Sequence, residues 1–173
     1  MTRPSKPIEI LPAMLHVVLY QPEIPPNTGN IIRLCANSGT RLHLIHPLGF
    51  SLEDSKLRRA GLDYRECVDI QQYPDWPGFL KAYPGGRLFA VSTRGHIPYA
   101  RLAYRDGDGF LFGSETRGLP AALLDSLSPQ RRLWIPMVPG NRSLNLSNAV
   151  AVLIFEAWRQ QGFPGALAPP MAF

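Results

Sequence analysis

Much of the usual catalytic equipment is missing from these 173 residues. Only two cysteines occur, Cys35 and Cys67. They are too few for a disulfide scaffold and show no C-x-x-C spacing, so buried free thiols are expected rather than a bond. The four histidines (His16, His43, His46, His96) do not stand at ligand spacing with acids or cysteines, and no metal site is expected. No apolar run approaches the roughly 20 residues that span a bilayer. The opening MTRPSKPIEILPA also lacks the apolar core of a signal peptide. A cytoplasmic protein without a membrane partner is expected. There is no G-x-G-x-x-G, no Ser-His-Asp or Cys-His set, and no evident pair of catalytic carboxylates.

What is present is a basic, ordinary globular composition. Hydrophobic residues make up 45% and charged residues 18%, with a net charge of +5. Of the 18 basic residues, 15 are arginine, whose planar fork matches phosphate oxygens. A basic domain of this kind is a candidate nucleic-acid binder. Arginine usage can also follow genome composition, so charge alone leaves RNA or DNA binding open.

The length suits one domain with one substantial core. Residues 1–13 and 164–173 are proline-rich and are expected to be a flexible extension and a flexible tail around a domain at 14–163. Between them apolar runs alternate with helical patterns. Strands are expected at Leu15–Tyr20, Leu42–His46, Cys67–Ile70, Leu88–Ser92, Gly109–Phe112 and Arg132–Ile135. Helices are expected at Thr28–Ser38 before Gly39, at Leu52–Ala60 between Ser51 and Gly61, at Trp76–Ala82, at Leu119–Leu127 and at Asn145–Gln160. Such alternation implies an α/β fold with a mainly parallel sheet.

Three punctuated loops follow predicted strands, where open α/β sheets place ligands. The first, QPEIPPNTGN (21–30), leads into a helix that Asn27 or Thr28 could cap and that carries Arg33 about one turn inside. The second, FLFGSETRGLP (110–120), offers Gly113, Glu115 and Arg117. Its glycine spacing starts like a P-loop, but Leu119-Pro120 stands where Lys-Ser/Thr is required, so that reading fails. The third runs from Pro136 to Leu146 and ends in a polar cluster, either a ligand loop or an ordinary turn capped by Ser143 or Asn145. From Ala149 to Trp158 the following helix has one charge, Glu156, and a helix apolar nearly all round is buried on more than one side. A partner subunit could supply one of those sides. This inventory suits group transfer in which a cofactor carries the reactive group and the protein supplies positioning.

In this order and at these separations, PEIPPNTGNIIRLCAN, FGSETRGLP, IPMVPGNRSLNLSNAV and EAWRQ resemble the motifs of the SPOUT methyltransferases, and within them the small single-domain TrmH-type branch. The resemblance spans about residues 14–165. Two positions depart from it without touching a functional role: Ser114, where proline is also usual, and Gly140-Asn141 in a variable loop.

The resemblance implies helices on both faces of the sheet, a C-terminal trefoil knot and a homodimer. It implies 2′-O-methylation of the wobble nucleotide of leucine tRNAs, cytidine or modified uridine, with S-adenosylmethionine as donor and S-adenosylhomocysteine as product. The cofactor would contact Val91, Thr93, Gly113, Glu115, Ile135, Met137, Ser143, Leu144 and Asn148. Arg33 and Asn27 would face the target nucleotide, with Ser143 and Asn145 orienting the reacting groups. A guanidinium is a poor proton acceptor, so Arg33 is better suited to hold phosphate and stabilise a developing alkoxide than to act as base. Arg58, Arg59 and Arg65 are candidate phosphate contacts, or simply a solvated helix face. Two alternatives stay open: another nucleotide of tRNA or ribosomal RNA as target, and a non-catalytic RNA-binding module.

Overall fold

The computed structural model describes residues 15–61 and 68–168. In chain order the elements are β1 (His16–Tyr20), α1 (Pro25–Ser38), β2 (Arg41–Ile45), α2 (Ser55–Gly61), β3 (Ile70–Tyr73), α3 (Trp76–Ala82), β4 (Leu88–Val91), β5 (Ile97–Pro98), β6 (Gly109–Phe112), α4 (Ala121–Asp125), β7 (Arg132–Trp134) and α5 (Leu146–Gln160). The strands form one sheet in the order β3-β2-β1-β6-β4-β7-β5, and every pairing is parallel.

Successive strand side chains point to opposite faces, and here both faces are covered. Val17, Leu19, Leu42, Leu44, Phe110 and Phe112 pack with Ile31 and Cys35 of α1, Leu57 of α2, and Val150 and Leu153 of α5. Their neighbours Val18, Ile45, Ala90 and Leu111 pack with Phe79 of α3 and with Leu123 and Leu124 of α4. Burial on both sides explains why the central strands are continuous apolar runs. Each fully buried aliphatic side chain contributes about 1.5–3 kcal/mol. No helix among the described residues is long and apolar enough to cross a membrane.

Several boundaries differ from the sequence expectation. The helix expected from Thr28 begins at Pro25, since proline is favoured in a first turn. The helix expected from Leu52 begins at Ser55: residues 51–54 form a turn, and Asp54, rather than Ser51, accepts the Lys56 amide at 2.7 Å. The third strand starts at Ile70 and runs on to Tyr73 through exposed Gln71 and Gln72, as an outermost strand can. Most of the expected Cys67–Ile70 segment thus lies before it, and Cys67 itself lies outside the described residues. Helix α4 is shorter at both ends than Leu119–Leu127, and β5 was not expected.

The position of β5 matters for the site. Strand β7 lies between β4 and β5, so residues 92–96, which connect those two, must pass across it. Ser92 N–H donates to the Leu133 carbonyl at 3.0 Å, and His96 N–H to that of Arg132 at 2.9 Å. A Cβ on Gly95 would collide with the main chain at Leu133, so only glycine fits this crossing.

Candidate active site

A cavity of about 450 Å³ opens at the C-terminal ends of β4, β6 and β7. Its walls are Val91, Ser92 and Thr93 after β4, residues 112–119 after β6, Ile135, Met137 and residues 142–146 after β7, and Ile24 and Asn27 from the start of α1. The volume falls in the roughly 300–1,000 Å³ range of small-molecule sites.

The three loops are fixed in different ways. After β6 the chain doubles back tightly, with a bridge between Ser114 and Gly118 and φ +67° at Gly118. A Cβ on Gly113 would strike the main chain at Gly118–Leu119, which makes glycine necessary there. The Arg94 guanidinium donates to the Leu119 carbonyl at 2.6 Å, tying the β4–β5 crossing to this loop. The main chain of residues 135–144 belongs to no strand or helix. Its peptide groups are not committed to sheet or helix ladders, although the Val138 carbonyl accepts from Asn141 Nδ2 at 3.3 Å.

Helix α5 is capped by its own Asn145, whose Oδ1 accepts from Ser147 N–H at 2.9 Å and from Asn148 N–H at 3.4 Å. Helix α1 has no such local cap: its N-cap residue is Ile24. The carboxylate of Glu115 serves instead, accepting from Glu23 N–H at 2.7 Å and Ile24 N–H at 3.1 Å. An anion at this end also meets the positive pole of the helix.

A chain of side-chain hydrogen bonds then joins the three loops. Asn27 Nδ2 donates to Glu115 at 3.3 Å, and Asn27 Oδ1 accepts from Asn145 Nδ2 at 2.9 Å. Asn27 is only 7% exposed, so its donor and acceptor are costly to leave unpaired. Beside this chain Glu23 accepts from the Thr116 hydroxyl at 2.6 Å, which, ahead of nearby Arg117, holds its carboxyl below the usual range. The Arg117–Glu23 ion pair is 3.7 Å apart with the arginine 81% exposed, and it contributes little.

Of the residues selected from sequence, Asn27, Val91, Thr93, Gly113, Glu115, Ile135, Met137, Ser143, Leu144 and Asn145 all line this one cavity. Arg33 and Asn148 are exposed and do not line it. Arg33 lies on α1, two turns beyond its start. Among the lining residues that sequence reasoning did not select are Ile24, Ser92, Arg142 and Ala149. Arg142, inside the third motif, was visible by type, whereas Ile24 carries no local signal. Of the three suggested phosphate contacts, Arg59 is exposed on α2, Arg65 lies outside the described residues, and the Arg58 side chain is not described. Among the described residues, no group of three or more His, Cys, Asp or Glu side chains is placed to hold a metal ion.

Comparison with known proteins agrees with this geometry. The family model described as SpoU rRNA Methylase matches residues 14–155. A tRNA (cytidine(34)-2′-O)-methyltransferase of Methylovorus glucosotrophus is 58% identical over 154 residues, covering 89% of this chain and 100% of the relative. The enzyme of the same name from Escherichia coli K12 is 57% identical, with coverage of 89% and 98%. A solved structure reported as giving insight into 2-OH methylation of C/U34 on tRNA superposes with a TM-score of 0.82 at 50% identity, covering 87% of this chain and 97% of its own. With three motif loops converging on one cavity and a family match over most of its length, the chain belongs to the SpoU rRNA Methylase family.

Proposed function

We propose that this protein is an S-adenosylmethionine-dependent methyltransferase acting on the ribose 2′-oxygen of the wobble nucleotide of tRNA. The target is position 34, cytidine or a modified uridine, in leucine tRNAs. The observation that carries the reading is the Glu115–Asn27–Asn145 chain, which ties three motif loops around one cavity of cofactor size. The names of the relatives at 57–58% identity support the substrate.

The donor set fits S-adenosylmethionine. Val91, Ile135, Met137 and Leu144 supply apolar surface for the faces of an adenine ring, and the peptide groups from Ile135 to Leu144, which lie outside any strand or helix, suit its edge. When bound, the cofactor supplies an electrophilic sulfonium methyl. This chain's part is to position the ribose, and the 2′-hydroxyl must lose its proton on transfer. Asn27 and Asn145 hold the loops that border the nucleotide, and Ser143 orients the reacting groups. From the exposed face of α1, outside the cavity wall, Arg33 holds an RNA phosphate and stabilises the charge growing on the ribose oxygen. The proton passes to water or phosphate, because a guanidinium is no acceptor.

The working form is a homodimer, supported by Phe155, which α5 leaves 45% exposed beside Trp158 and Phe163. The C-terminal chain forms a trefoil knot, and the passage of residues 92–96 over β7 at Gly95 supports that topology. The test is methyl transfer to tRNA from a strain lacking the activity, followed by nucleoside mapping. A single 2′-O-methyl at position 34 is expected; no transfer, or transfer at another nucleotide, overturns the reading.

A further inference from the structure

A second hollow, of about 210 Å³, adjoins the cofactor cavity on the β1 side of the same tight loop. It is lined by Tyr20, Gln21, Ser114, Arg117, Gly118 and Pro120, and it shares Ser114, Arg117 and Gly118 with the first cavity. It is too small for a nucleotide cofactor and of a size for one planar ring. Tyr20 and Pro120 offer flat surfaces, the Gln21 amide offers both donor and acceptor, and Arg117 at the loop tip is 81% exposed.

The backbone singles out Gln21. It has φ +50°, a left-handed conformation that non-glycine residues rarely adopt, held by its N–H donating to the Ile45 carbonyl at 2.9 Å. Its side chain makes one long contact, 3.5 Å to the His46 carbonyl, too weak to explain why glutamine occupies a strained position. Strain of this kind gathers at ligand sites.

We infer that this hollow receives the base of a nucleotide adjacent to the methylated one, stacked on Tyr20 and read at its edge by Gln21, with Arg117 over the intervening phosphate. This rests on the RNA reading proposed above and deepens it. Every base has a face to stack and the amide can serve more than one edge, so the subsite contributes affinity more than strict sequence choice. Its place beside the first cavity also brings the RNA along the C-terminal edge of the sheet.

Gln21→Gly separates fold from function, because glycine relieves the positive φ. The expected result is a melting temperature no lower than wild type, unchanged S-adenosylmethionine affinity by calorimetry, and a KM for the substrate tRNA, unmethylated at position 34, raised about tenfold. An anticodon stem-loop abasic at each neighbour of position 34 in turn supplies the second arm. At one neighbour, wild type should lose about as much as the variant does with intact RNA, and the variant should lose little further. An unchanged KM, or losses that multiply at both neighbours, would overturn the subsite. If wild type transfers no methyl to any tRNA, the enzymatic reading itself fails, a result distinct from either.

Discussion

Two polar networks cross this molecule, and they do different work. One lies between the sheet and α3: His16 Nδ1 and His43 Nε2 are 2.9 Å apart, and His43 Nδ1 meets the Tyr73 hydroxyl at 2.8 Å. His43 is fully buried and His16 only 4% exposed, among the rings of Tyr73, Phe79 and Tyr83. The other is the Glu115–Asn27–Asn145 chain, where Glu115 and Asn145 open to a cavity. Both span long sequence separations, so distance along the chain does not mark function. Access does: the side chains of the first network are buried among packed rings, while the second has a ligand-sized space beside it.

The widest separation between the two should appear in acid. Burial, ahead of charge from Arg41 on His16 and from His16 on His43, holds these imidazoles at about 4 and about 3, below the usual value of about 6.5. The folded protein therefore keeps them neutral where the unfolded chain protonates them. Their stability is fully present above about pH 6.5 and is lost as pH falls toward 4, with a slope of up to ~1.4 kcal/mol per pH unit for each ring. Urea unfolding between pH 7.5 and 4.5 checks this, and a flat profile would contradict it.

The site network should respond in rate instead. Glu115→Ala removes two charge-assisted bonds to the start of α1 and one to Asn27. Single-turnover methyl transfer should fall about 100-fold, with a smaller loss of stability near 2 kcal/mol. Arg33→Lys should lower turnover about tenfold or more by removing a bidentate fork, with cofactor affinity unchanged in calorimetry. Unchanged turnover would take Arg33 out of the mechanism.

How much of this could be read beforehand follows the range of each interaction. The central strands β1 and β6 announced themselves as apolar runs, and the cap of α5 was narrowed to Ser143 or Asn145, because those signals lie within a few residues. The cap of α1 did not, because Glu115 stands 92 residues from Glu23. Gly95 carries no local mark of the crossing that requires it. Edge strand β3 evaded an apolar-run rule through Gln71 and Gln72, and Pro25-Pro26 looked like loop although proline favours a first helical turn. The cavity lining was recognisable as three motifs, but their joining through Asn27 appears only in three dimensions.

That joining is tested most directly by Asn145→Ser, which should cost less stability than Glu115→Ala because it removes one bond to Asn27 and keeps a helix cap. Serine caps a helix nearly as well as asparagine, yet its short hydroxyl cannot replace the 2.9 Å bond from Asn145 Nδ2 to Asn27. The measurement is the single-turnover rate of methyl transfer at saturating cofactor, alongside the melting temperature. A rate down about tenfold with melting within a few degrees of wild type is the predicted result; a wild-type rate would contradict it.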